Sequence, residues 1–196
     1  WEKTDEAELS KDSKTNKEIF ARIPNLEILE CFEHNIKERF GNVVKKDNLA
    51  LNISNALLEG NVDFVQNKLG PLLRSFVSVR DTATRAPHEN YYHGFLNGIF
   101  TNCKDNLGEY HSNYESGDGY PDILFKDIDC RKVAIIEIKS ATIGSDIETL
   151  SEKAISQIED KKYAEPLMSN KTVKSIYGYG ITFAGKSCAV SVKKLK

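Results

Sequence analysis

The spacing of the apolar residues first changes from helical to strand-like near residue 108, and that change restricts the fold to a mixed α/β class. Before it, the spacing is helical. Ile28, Leu29, Phe32, Ile36 and Phe40 share one face of a segment over 25–40 that stops at Gly41. Leu49, Ile53, Ala56 and Leu57 mark a second helix ending at Gly60. Val62, Phe64, Val65 and Leu69 mark a third, with a break expected at Gly70-Pro71 before Leu72, Leu73 and Phe76. A further helix over 87–100 carries Tyr91, Tyr92, Phe95, Leu96 and Ile99, with Pro87 in the first turn. After residue 108 the pattern becomes short and β-rich. Strands are expected over 110–114, 120–125 and 132–139, with a turn at Ser116-Gly117-Asp118-Gly119. A helix over 146–163 and a hairpin of 175–183 with 188–192 close the chain. The expected architecture is therefore a mixed central sheet flanked by helices, in the order helix, three strands, helix, two strands. It carries an all-helical N-terminal segment. The polar stretch 81–87 suggests a division into residues 1–85 and residues 86–196.

With 196 residues the chain can bury a core without disulfide staples. No apolar run approaches the ~20 residues of a membrane span, so no membrane role is expected. The first residues are acidic and form no signal-peptide core, and the chain starts without Met, which suggests a piece of a longer protein. Cys31, Cys103, Cys130 and Cys188 are widely separated, so unpaired thiols in a reducing cytoplasm are expected rather than a zinc site. The net charge of −2 does not announce a nucleic-acid binder. Residues 139–196, however, hold 10 Lys and Arg against 6 Asp and Glu. That basic stretch could track phosphates or be a solvated face.

The segment Gly180-Ile181-Thr182-Phe183-Ala184-Gly185-Lys186-Ser187 matches the phosphate-loop pattern G-x-x-x-x-G-K-[ST]. A phosphate loop must open a helix, whereas Cys188-Ala189-Val190-Ser191-Val192 alternates like a strand. A hairpin turn is expected, without nucleotide binding.

The chemistry-bearing residues lie elsewhere. Asp122 follows Pro121 at the start of one strand, and Glu137 and Lys139 end another. Residues two apart on a strand share a face, so Glu137 and Lys139 point the same way. Antiparallel pairing of the two strands would set Asp122 beside Glu137. Two converging carboxylates raise a pKa or share a hard cation. A surface ion pair at strand ends is the plainer alternative. Glu89 and His93 share a helix face; by position alone Glu89 is an acid favoured at the helix N-terminus. His93 reads as a packed or solvent-facing residue rather than a ligand. Glu115 could be a further acid or a strand-end charge. Gln157 and Lys161 share a face that could meet the site or solvent.

Asp122, Glu137 and Lys139, with Ile138 between, resemble the PD-(D/E)XK nuclease motif. The order of elements is similar to that superfamily's restriction-endonuclease-like core. Gln157-Ile158-Glu159-Asp160-Lys161-Lys162-Tyr163-Ala164 resembles a segment of nuclease domains carried C-terminally by AAA-ATPase-like bacterial proteins. Segments 89–95, 115–117 and 180–186 also resemble that group, which usually has an Arg where this chain has Gly119-Tyr120-Pro121. The resemblance implies a DNA endonuclease dependent on Mg²⁺ (or Mn²⁺), acting on nucleic acid, DNA in preference to RNA. It also implies Asp122, Glu137, the carbonyl of Ile138 and Glu89 as metal ligands. Lys139 would orient or activate the attacking water, and Gln157 would assist at the site. Residues 1–85 would be the helical tail of an ATPase portion of a longer chain. The alternative is a catalytically silent module of the same fold that binds nucleic acid or regulates an attached ATPase.

Overall fold

The computed structural model describes residues 48–76 and 89–196. The helix expected over 25–40 and the polar boundary at 81–87 lie outside these residues. Helix α1 spans Leu49–Glu59 and buries Ala50, Ile53, Ala56 and Leu57. It ends at Gly60, whose φ of 78° is the left-handed conformation that lets a glycine close a helix. Helix α2 spans Val62–Phe76 and runs unbroken through Pro71. This differs from the expected break. Leu69, Leu72 and Leu73 are all buried on one stripe, and their burial outweighs the one backbone hydrogen bond that Pro71 removes. Helix α3 spans Glu89–Phe100, and a 3₁₀ turn over Thr101–Asn106 leads into the sheet.

The sheet has five strands in chain order: β1 Leu107–Ser112, β2 Ile123–Asp127, β3 Lys132–Ser140, β4 Ser175–Ala184 and β5 Ser187–Lys194. All neighbours pair antiparallel except β3 and β4, which are parallel. Joining parallel neighbours requires a crossover, supplied here by α4 (Ile147–Asp160) and the short α5 (Glu165–Met168). Asp146 caps α4 by accepting from the amide of Thr149 at 3.0 Å. Strand β3 is buried on both faces, as a near-continuous apolar run at the centre of a covered sheet should be. Ala134, Ile136 and Ile138 face α1, α2 and α3, together with Phe95, Phe125, Tyr179 and Phe183. Val133 and Ile135 face the other way, with Ile155, Ile158 and Tyr163 around α4. The first of these clusters extends from Ala50 to Val190 and so spans both sides of the division suggested after residue 85.

Strands β4 and β5 pair up to Ala184 opposite Ser187, and Gly185 takes a φ of 58° in the turn. The Tyr92 hydroxyl donates to the carbonyl of Gly185 at 2.8 Å, and the Tyr92 ring stacks on Phe183 at 4.5 Å. A strand follows Lys186, so the phosphate-loop pattern is a hairpin. Gly180 has a separate reason: a Cβ there would lie 1.9 Å from the Ser151 carbonyl oxygen, so α4 rests on β4 only because the side chain is missing.

Candidate active site

The β2–β3 register pairs Ile123 with Ile136, and one further step sets Asp122 against Glu137. The ladder stops there. The amide of Ile138 donates instead to the Asp122 carboxylate, Oδ2, at 2.7 Å. The main-chain carbonyl of Asp122 accepts from the amide of Asn113 at 3.0 Å and lies 3.0 Å from His93 Nε2. A carbonyl only accepts, so His93 carries its proton on Nε2 in this contact. Both ends of Asp122 are therefore fixed.

Glu137 is 3% exposed. Its Oε1 accepts from Lys139 Nζ at 2.8 Å and from Gln157 Nε2 of α4. Its Oε2 is buried without a hydrogen-bond partner. Buried carboxylate oxygens are ordinarily satisfied, so a bare one on a residue of an acidic cluster suits a cation. Glu89, in the first turn of α3, completes that cluster. One carboxylate oxygen from each of Glu89, Asp122 and Glu137 lies within 4.8 Å of the others. Lys139 Nζ is 3.8 Å from Glu89 Oε1, so its ammonium stands between two of the three acids.

The electrostatics follow from burial. Loss of water raises the Glu137 pKa to about 7, repulsion from Asp122 adds to the rise, and Lys139 opposes it. Burial also raises Asp122, against the Ile138 hydrogen bond and the positive potential of His93 and Lys139. Glu89 is raised by burial, opposed by Lys139 and reinforced by Asp122. Burial works against the Lys139 ammonium, but the Glu137 hydrogen bond and the three acids outweigh it and hold its pKa above the usual lysine value. Three hard oxygen donors that resist ionising together fit a divalent cation such as Mg²⁺ or Mn²⁺.

A model of the PD-(D/E)XK nuclease superfamily matches residues 87–193, more than half of the chain. The chain belongs to the PD-(D/E)XK nuclease superfamily. No curated protein matches it. The superfamily match includes Glu89, Asp122, Glu137, Lys139 and Gln157, the five residues that meet in this cluster.

Two other candidates, Glu115 and Lys161, fall outside it. Glu115 and Lys161 are exposed, and Glu115 takes no part in the acidic cluster. Ile138 meets the site through its amide, while its side chain packs in the core. Tyr163 is buried, and its carbonyl accepts from Ser116 Oγ at 2.8 Å. His93 does more in the fold than pack or face solvent. Its Nε2 also lies 3.0 Å from Ser112 Oγ, which accepts from Asn97 Nδ2 at 3.1 Å. That network ties α3 and β1 to the backbone of Asp122. The available signal was the four-residue spacing from Glu89, which puts both residues on one helix face. Asn97, four residues after His93, shares that face, but only the fold brings β1 under α3 and gives it Ser112 to meet.

Proposed function

We propose that this domain hydrolyses phosphodiester bonds as a Mg²⁺- or Mn²⁺-dependent endonuclease acting on DNA. The observation that carries the reading is the convergence of Glu89, Asp122 and Glu137 beside the Lys139 ammonium, with Glu137 Oε2 buried and partnerless. Asp122, Glu137, Glu89 and the carbonyl of Ile138 would hold the ion. When bound, the ion supplies a Lewis acid for the phosphoryl oxygens and acidifies water. The chain's own residues do the rest. Gln157 and Lys139 occupy Glu137 Oε1 and leave Oε2 free to ligate. The Lys139 ammonium has three donors and spends one on Glu137, so it can orient water and meet the negative charge that grows on the phosphate. His93 and Asn113 hold the Asp122 backbone still, which matters where small misplacements are costly. Attachment to an ATPase portion, and a cytoplasmic setting suited to the free thiols of Cys103, Cys130 and Cys188, belong to the same proposal.

A silent binding module is less favoured, because the acids, the lysine and the glutamine all converge. The test is nicking of supercoiled plasmid by the purified chain with Mg²⁺ or Mn²⁺, beside Glu137→Ala. The expected result is metal-dependent nicking by the wild type and none by the variant. No nicking of DNA or RNA by the wild type with either metal overturns the enzymatic reading.

A further inference from the structure

Two of the five exposed large apolar side chains among the described residues are tyrosines on one loop. Tyr114 is 52% exposed and Tyr120 58%, and both lie between β1 and β2. That loop leads directly into Asp122. We infer that Tyr114, backed by His111, is a stacking platform for an unpaired nucleobase beside the phosphodiester to be cut. This deepens the nuclease reading and rests on it.

The sheet register places the platform. His111 pairs with Leu124, and Leu124 with Ile135. Cross-strand partners share a face, and so do alternate residues along a strand. Asp122 is two residues before Leu124, and Glu137 two after Ile135. His111 therefore stands on the face of the sheet that carries the acids. The Tyr114 ring lies 4.3 Å from the His111 ring at 27°, a stacked pair. His111 is braced in turn. Its Nε2 is 3.4 Å from Glu109 Oε2, and that oxygen is 2.7 Å from Lys126 Nζ. One side of the tyrosine ring is thus supported while half of the residue stays open to solvent.

The loop is held rather than loose. The amide of Asn113, next to Tyr114, donates to the Asp122 carbonyl at 3.0 Å. Ser116 and Gly119 close a tight turn at 2.8 Å, and Asp118 donates to the Lys161 carbonyl at 2.8 Å. Gly117, at a φ of 62°, lies so close to the end of α4 that a Cβ would meet the Lys162 carbonyl oxygen at 2.3 Å. Exposed Lys161 and Lys162 flank this contact and suit phosphates on the same strand.

A fixed aromatic face fits any base, because every base has a π-face. Bases inside a duplex are already stacked on both sides. The platform therefore engages single strands, frayed ends or flaps, and it favours cleavage next to an unpaired nucleotide.

The experiment uses the full chain with Ca²⁺, a hard cation that suits the same oxygen donors. Fluorescence anisotropy reports affinity for a single-stranded oligonucleotide and for a blunt duplex of the same sequence, at fixed salt, for wild type, Tyr114→Ala and Tyr114→Phe. Tyr114→Ala is expected to weaken single-strand binding roughly 5- to 150-fold, as loss of one base–aromatic stack does. Duplex binding should change far less, and Tyr114→Phe should bind like the wild type. A 2-aminopurine base in the single strand should be quenched by the wild type and not by Tyr114→Ala. Equal losses on both substrates, no loss on either, or failure of Tyr114→Phe to retain binding overturns the platform while leaving the nuclease reading intact. A wild type that binds neither substrate and nicks no plasmid overturns both.

Discussion

Neutralising Glu137 should stabilise the metal-free protein while destroying its activity. Glu137 ionises at about 7 in the fold against 4.5 for an ordinary glutamate, because burial and Asp122 outweigh Lys139. A carboxyl with a raised folded pKa contributes stability that is fully present below pH 4.5 and is lost as pH rises through about 7. A rise of about 2.5 units corresponds to roughly 3 kcal/mol by pH 8. Glu137→Gln keeps the shape, removes the charge and should recover most of that energy. For a chain of this size the gain amounts to a melting temperature roughly 6–12 °C above wild type at pH 8 in chelator. At pH 4.5 the two proteins should melt together. Saturating Mg²⁺ or Mn²⁺ should raise the wild type at pH 8, by about 2.7 kcal/mol at a hundred times Kd, and leave Glu137→Gln unmoved. Calorimetric or fluorescence melts from pH 4.5 to 8.5, with and without metal, provide the assay. A Glu137→Gln protein less stable than wild type at pH 8 would mean that the Lys139 ion pair outweighs the buried repulsion. A gap independent of pH would refute the reasoning equally.

The remaining expectations concern single positions. Lys139→Ala and Lys139→Arg should both lose most cleavage yet keep nucleic-acid binding, since a planar guanidinium cannot take the place of a compact ammonium; cleavage rates and affinities measured side by side check this, and wild-type cleavage by Lys139→Ala would refute it. Gln157→Leu should weaken metal affinity or cleavage about 10- to 100-fold, as loss of a partner to a ligand does, read by titration calorimetry and plasmid nicking. Gly180→Ala should destabilise by about 1–3 kcal/mol or more, because α4 must lift off β4; urea unfolding measures it.

The change from helical to strand spacing near residue 108 was legible in the sequence, and so were the Asp122, Glu137 and Lys139 motif and the hairpin at Gly185. These depend on period and turn chemistry, which are local properties of the chain. The passage of α2 through Gly70-Pro71 was not legible locally, because burial of Leu69, Leu72 and Leu73 against distant residues decides it. The site divides in the same way. Sequence spacing put Glu137 and Lys139 on one face of a strand. Only the sheet register and the crossover through α4 brought Gln157 onto Glu137 Oε1 and left Oε2 bare. Only the packing of α3 carried Glu89 to the acids and His93 to the Asp122 backbone. A sequence specifies which groups can ionise, ligate or donate, because that chemistry belongs to the residue. Which of them lose their water together, and so acquire shifted pKa values and unmet oxygens, depends on contacts between residues tens of positions apart.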